Sequence, residues 1–192
     1  MDTPQRNLLL LLSVEIKEFI KLSQRAIFLD RDGVINVDHG YVSRPDEVEF
    51  ISGAREMIAE LSRQGWLIFV VTNQSGVARG MYTEEDVQAL HRWLNAEFAK
   101  AGGKVTEFFY CPHLLHAKVK EYDVDCVCRK PRPGMIIQAL SKHRIAREDA
   151  FLIGDSERDV AAAERAGIRG FLFTGDNVQE FMHECVRDLQ WN

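Results

Sequence analysis

The sequence predicts an α/β fold, a parallel sheet flanked by helices, and three observations carry the prediction. From Arg25 onward short apolar runs alternate with longer stretches of helical periodicity, the pattern of strand–helix–strand repeats. Gly65, Gly102 and Gly167 stand where successive helices should stop, the place for a residue that accepts a left-handed backbone. The 192 residues, 46% hydrophobic and 28% charged, suffice for one complete core, and no linker is long enough to divide them.

Taken in order, residues 1–24 form an N-terminal helical extension. Leu9, Leu12, Ile16, Phe19 and Ile20 recur at helical spacing, which predicts an amphipathic helix packing on the body or on a second subunit. Glu15, Lys17 and Glu18 interrupt the leucine run, leaving it far short of the roughly 20 apolar residues that a membrane span needs. No small-residue cleavage site follows, so a cytoplasmic location is expected. Residues 25–192 form a single domain. Its strands are the runs 26–29, 67–71, 108–110, 151–153 and 171–173, and its helices lie near 53–64, 83–101, 134–144, 157–166 and 177–188. Thr83 is placed to cap the second helix, with Glu84, Glu85 and Asp86 at the positive end of its dipole.

Twenty-nine acidic against 24 basic residues give a net charge of −5, which argues against nucleic acid or an anionic membrane as partner. A monomer is expected, with dimerisation through the leading helix as the alternative.

Ligands of open α/β sheets bind beyond the carboxyl ends of the strands, and the residues there carry chemistry. The first strand runs into Asp30-Arg31-Asp32-Gly33, the second ends in Thr72-Asn73, and the fourth ends in Gly154-Asp155 with Asp159 a helical turn later. Carboxylates gathered at one sheet edge repel one another, and Mg²⁺ is a natural neutraliser. The Asp30/Asp32 spacing lets one carboxylate attack phosphorus while the other protonates the leaving oxygen and later activates water. Phosphoryl transfer also needs positive charge, and Lys130, stiffened between Arg129 and Pro131, is the best candidate.

These motifs, in this order over roughly residues 25 to 175, resemble the haloacid dehalogenase (HAD)-type phosphatases. The resemblance implies a Rossmann-like sheet with a minimal cap. It makes Asp30 the nucleophile and Asp32 the general acid/base. Mg²⁺ is then held by Asp30, the Asp32 backbone carbonyl and Asp155, with Asp159 in support, while Thr72 and Lys130 hold the phosphoryl group. A finer similarity, to the heptose-bisphosphate phosphatases of that family, lies in Phe28 to Gly33, Asn36 to Val42 and Thr72 to Gly80. It implies a small phosphorylated sugar as substrate, contacted by Arg31, Asp38, His39, Gly40, Tyr41, Thr72, Asn73, Gln74, Ser75, Arg129 and Lys130. Histidinol-phosphate phosphatases share the framework but typically differ after Thr-Asn-Gln and carry a shorter metal loop. Ser156 departs from the finer pattern, which often has lysine there.

Three of the four cysteines fall within 18 residues: Cys111-Pro112-His113 and then Cys126-Val127-Cys128. Three thiolates and an imidazole suit a closed tetrahedral Zn²⁺ site. His116 competes as fourth ligand, and His113 is preferred because Cys-x-His mirrors Cys-x-Cys. The heptose-bisphosphate phosphatases carry the same pattern as a zinc loop. Zinc here is expected to be structural, pinning a substrate-covering loop and fixing Arg129 and Lys130. Cys185 reads as an idle thiol in the last helix.

Overall fold

The computed structural model describes residues 24–191; the predicted leading helix lies outside them. Five strands, β1 (Ala26–Leu29), β2 (Leu67–Asn73), β3 (Glu107–Cys111), β4 (Ala150–Gly154) and β5 (Arg169–Leu172), form one parallel sheet in the order β3-β2-β1-β4-β5. The helices are α1 (Ala54–Arg63), α2 (Glu84–Lys100), α3 (Gly134–His143), α4 (Glu157–Ala166) and α5 (Val178–Asp188).

Side-chain alternation along the strands divides the core in two. Ile27 and Leu29 of β1 join Ile68, Val70, Phe151 and Ile153 under α1, α2 and α5. Ala26 and Phe28 point the other way, joining Phe69, Val71 and Leu152 against Met135, Ile136, Ala139 and Leu140 of α3 and Ala162, Ala163 and Ala166 of α4. With both faces covered, the inner strands read as unbroken apolar runs, as buried parallel strands do.

Capping residues bound two of the helices where the sequence places them. Thr83 caps α2 through a reciprocal pair with Asp86, and Gly167 ends α4 at φ 78°. Strand bounds differ from expectation by one or two residues: β2 runs on to Asn73, and β3 and β4 are each one residue longer at both ends. β5 begins at Arg169, two residues before the apolar run, because this edge strand is partly exposed and one of its early residues is Gly170. A Cβ there would lie 2.9 Å from the Val160 Cα, so the missing side chain is what lets α4 lie down on the strand.

β1 is the switch point: the chain proceeds outward through β2 and β3, then crosses back to β4 on the other side. Leu29 pairs with Val70 and with Ile153, so the residues following β1 and β4 emerge side by side. The minimal cap consists of connections: residues 30–53 after β1 and residues 112–133 between β3 and α3. Among the described residues no helix is long and apolar enough to cross a membrane.

Candidate active site

Asp30 is the first residue beyond β1, held there by its own N–H donating to the Ile153 carbonyl (3.0 Å). Its Oδ1 accepts from the Arg31 N–H (2.7 Å) and lies 2.9 Å from Lys130 Nζ. Lys130 in turn lies 2.6 Å from Asp159 Oδ1, and all three side chains are buried. Burial pushes the Asp30 carboxyl up to about 7 against the pull of the Lys130 ammonium. Asp159 goes the other way: burial opposes its ionisation, and the Lys130 charge prevails to lower it. Asp159 is fully spent, since its Oδ2 also accepts from the Ser156 hydroxyl (2.5 Å) and N–H (3.1 Å) at the start of α4.

Asp155 completes the group. Carboxylate oxygens of Asp30, Asp155 and Asp159 all lie within 4.8 Å of one another. Asp155 Oδ1 is buried with no hydrogen-bond partner, and burial first, then the Asp159 charge, raises its carboxyl. A lone buried oxygen among repelling carboxylates fits a hard cation held by oxygen. Gly33 makes the close approach possible: at φ 86° it turns the chain, and a Cβ there would stand 2.1 Å from Asp155 Oδ2.

The Asp32 side chain turns away from this group. It accepts from Arg31 Nε and Nη2 (2.9–3.1 Å), from Asn36 Nδ2 (2.9 Å) and from Gln74 Nε2 (3.1 Å), donors suited to a carboxylate. Those donors occupy the carboxylate, which is not among the clustered oxygens of Asp30, Asp155 and Asp159.

The second wall comes from the end of β2. Thr72 Oγ1 accepts from Gln74 Nε2 (2.8 Å), and Gln74 Oε1 accepts from the Tyr82 hydroxyl (2.8 Å). Asn73 makes two hydrogen bonds to the Lys130 backbone, Nδ2 to O (3.1 Å) and Oδ1 from N (3.0 Å). Asn73 therefore serves as a clamp that holds the lysine loop to the sheet.

A cleft of about 290 Å³ opens over these residues, lined by Asp30, Asp32, Asp38, Gly40, Tyr41, Thr72, Asn73, Gln74, Ser75, Tyr82, Arg129 and Arg158. Three expected substrate contacts are absent from its lining: Lys130, buried at its ion pair with Asp30, Arg31 and His39. Arg31 is fully buried, its guanidinium committed to Asp32 and to the Val42 carbonyl (2.6 Å), so it positions Asp32 from below. His39 pairs instead with Glu49 (3.0 Å) on the exposed side of its turn. Tyr82 and Arg158 were not foreseen: an isolated Tyr or helix-start Arg carries no motif, and only the fold brings them to the rim.

Beside the cleft Cys111, His113, Cys126 and Cys128 converge. The Sγ separations are 3.1 Å for Cys111–Cys128 and 3.5 Å for Cys111–Cys126, and His113 Nδ1 lies 3.4 Å from Cys128 Sγ and 3.7 Å from Cys111 Sγ. Three thiols and one imidazole nitrogen converging this closely are the donor set of a tetrahedral zinc site. The edges of such a site run roughly 3.5–3.8 Å, so small outward shifts of the Cys128 sulfur would seat the ion. His116 is not part of the cluster; its N–H donates to Asp123. Arg129 Nη1 donates to the His113 carbonyl (3.2 Å), tying the cluster to the cleft. Cys185 is buried in the core under α5. His143 and His183, for which the sequence offers no partner, pair with Glu107 (2.9 Å) and Glu60 (2.9–3.0 Å).

A parallel sheet whose switch point presents a strand-end aspartate to a buried lysine defines a hydrolase of the HAD type. Residues 127–184 match the family model described as HAD-hydrolase-like. The chain is 41% identical over 165 residues to the D-glycero-β-D-manno-heptose-1,7-bisphosphate 7-phosphatase of Rhodopseudomonas palustris, covering 86% of this chain and 92% of that one. It is 43% identical over 173 residues to the enzyme of the same name from Salmonella typhi, covering 85% and 92%. Among solved structures, it is similar to D,D-heptose 1,7-bisphosphate phosphatase of B. bronchiseptica complexed with magnesium and phosphate (TM-score 0.72, 34% identity, 84% and 87% covered). It is also similar to D,D-heptose 1,7-bisphosphate phosphatase of Burkholderia thailandensis (TM-score 0.59, 26% identity, 85% and 99% covered). The chain belongs to the HAD-like phosphatases, within the D-glycero-β-D-manno-heptose-1,7-bisphosphate 7-phosphatase family. It is thus a hydrolase of the phosphomonoesterase class.

Proposed function

We propose that this enzyme removes the 7-phosphate of D-glycero-β-D-manno-heptose 1,7-bisphosphate through a covalent phosphate on Asp30. The observation that carries the chemistry is Asp30 Oδ1 beside the buried ammonium of Lys130 at 2.9 Å, a carboxylate with no apolar use for its position. The substrate rests on the named relatives.

Asp30 attacks phosphorus, the ester P–O bond breaks, and Asp32 gives a proton to the departing sugar oxygen. Asp32, now a carboxylate, takes a proton from water, whose oxygen attacks the same phosphorus; the bond to Asp30 breaks and phosphate leaves, restoring the Asp30 carboxylate and the protonated Asp32. Lys130 and the Thr72 hydroxyl hold the phosphoryl oxygens through the step. Arg31, Asn36 and Gln74 hold Asp32 at the cleft. Asp30, the Asp32 carbonyl and Asp155 would hold Mg²⁺, which when bound neutralises the carboxylates and the charge developing on phosphate. Cys111, His113, Cys126 and Cys128 would hold a structural Zn²⁺ that stiffens the loop leading to Arg129 and Lys130. The substrate is a small sugar ester, and action in the cytoplasm accords with the sequence.

The deciding experiment measures phosphate release with Mg²⁺ from both anomers of heptose 1,7-bisphosphate, histidinol phosphate and simple sugar monophosphates. The β-anomer of the heptose should give the highest kcat/KM; a strong preference for histidinol phosphate overturns the substrate assignment.

A further inference from the structure

Arg158 is the unassigned charge of the cleft. It sits in the first turn of α4, lines the cleft and is exposed. Its guanidinium makes no hydrogen bond or salt bridge with any described residue. Arg31 and Lys130 are paired with carboxylates, Asp32 for the first and Asp30 and Asp159 for the second. Arg129 spends one N–H on the neutral His113 carbonyl, so of the cations at the cleft Arg158 alone has no partner of either kind among the described residues. Arg158 is nevertheless close enough to favour ionisation of Asp155 and Asp159. Ser156, nearer the acidic group, has no free hydroxyl because it caps α4 through Asp159. One unpaired arginine therefore faces a cleft whose floor already holds the machinery for a single phosphoryl group.

An unpaired guanidinium at the rim of such a site suits a second anion on the same substrate, since its planar fork matches phosphate oxygens in pairs. We propose that Arg158 binds the phosphate that is not transferred, and so selects a sugar bisphosphate over the corresponding monophosphate. This rests on the reading of the enzyme as a sugar-bisphosphate phosphatase and names the residue that reads the second charge. Because the contact lies away from the reacting phosphorus, it acts on binding, and its loss enters KM more than kcat.

The test compares heptose 1,7-bisphosphate with heptose 7-phosphate, which lacks only the phosphate at C1, in wild type, R158Q and R158K. The ratio of the two kcat/KM values should fall about tenfold to a hundredfold in R158Q, through KM for the bisphosphate, as expected for a lost charge-assisted hydrogen bond. R158K should recover part of the ratio. If R158Q lowers both substrates alike, Arg158 only tunes the acidic group and the proposal falls; it falls equally if wild-type preference survives in R158Q. If wild type itself does not prefer the bisphosphate, the substrate reading fails first and takes this assignment with it.

Discussion

Asp30 shows how one residue serves two opposed demands. Catalysis requires it buried beside phosphorus-binding groups, and burial makes its negative charge costly. Lys130 cannot relieve that cost alone because it is shared with Asp159. Asp30→Asn should therefore reduce turnover at least about a thousandfold, since no nucleophile remains, and phosphate trapped on the protein in an acid quench should vanish with it. Full Mg²⁺-dependent turnover in that variant would rule out the covalent route. The same substitution should stabilise the magnesium-free fold. Asp30 is raised from 3.8 to about 7, so its contribution to folding is fully present below about 3.8 and is lost as pH rises through about 7. Asp30→Asn leaves Lys130 paired one to one with Asp159, and by thermal melting it should exceed wild type by about 5 °C at pH 8. That gap should close towards pH 4; equal melting temperatures at pH 8 would mean the charge is compensated elsewhere.

At the scale of elements, the site depends on joints that hold loops to strands. The 112–133 connection is fixed at three points: its sulfur and imidazole cluster, the Arg129 bond to the His113 carbonyl, and the Asn73 clamp on the Lys130 backbone. Removing zinc should release the first of these, since structural zinc sites contribute folding free energy directly. Chelation, or Cys126→Ser, should speed hydrogen exchange across residues 112–129 and lower kcat, while amides of β1 stay protected; unchanged exchange in the loop would remove zinc from this role. Gly33 is a second joint. Gly33→Ala places a Cβ against Asp155 and strains a φ of 86°, so it should cost about 1 kcal/mol or more of stability. Apparent magnesium affinity in activity titrations should weaken with it. Strand-end motifs made these joints readable, because Asp30, Thr72, Asn73 and Asp155 follow apolar runs too buried on both faces to be mistaken. β5 was placed late because an edge strand half open to solvent has no such run. Arg31 looked like a substrate contact because sequence cannot tell a cation facing the cleft from one folded beneath its neighbour's carboxylate.

Across the whole molecule, the excess of buried negative charge at the switch point links site occupancy to stability. Three carboxylates with one shared ammonium are held together by the sheet, whose central strand β1 is registered against β2 and β4. Neither the strand order nor the convergence on one edge is written in any single motif. They follow from a crossover on each side of β1, and that crossover also brings Arg158 and Tyr82 to the rim. A cation and an anion that bind only the assembled edge must stabilise the fold by mass action. Mg²⁺ with inorganic phosphate, each near a hundred times its dissociation constant, should add about 2.7 kcal/mol per independent site, about 5 kcal/mol for the two, and raise the melting temperature by roughly 10–20 °C. Asp155→Asn keeps the shape of the edge but removes the orphaned oxygen's charge, and should abolish most of that rise while leaving the fold intact by circular dichroism. A full rise in Asp155→Asn would show that the cation is held elsewhere, whereas its loss would tie the stability of the sheet to the chemistry at its carboxyl end.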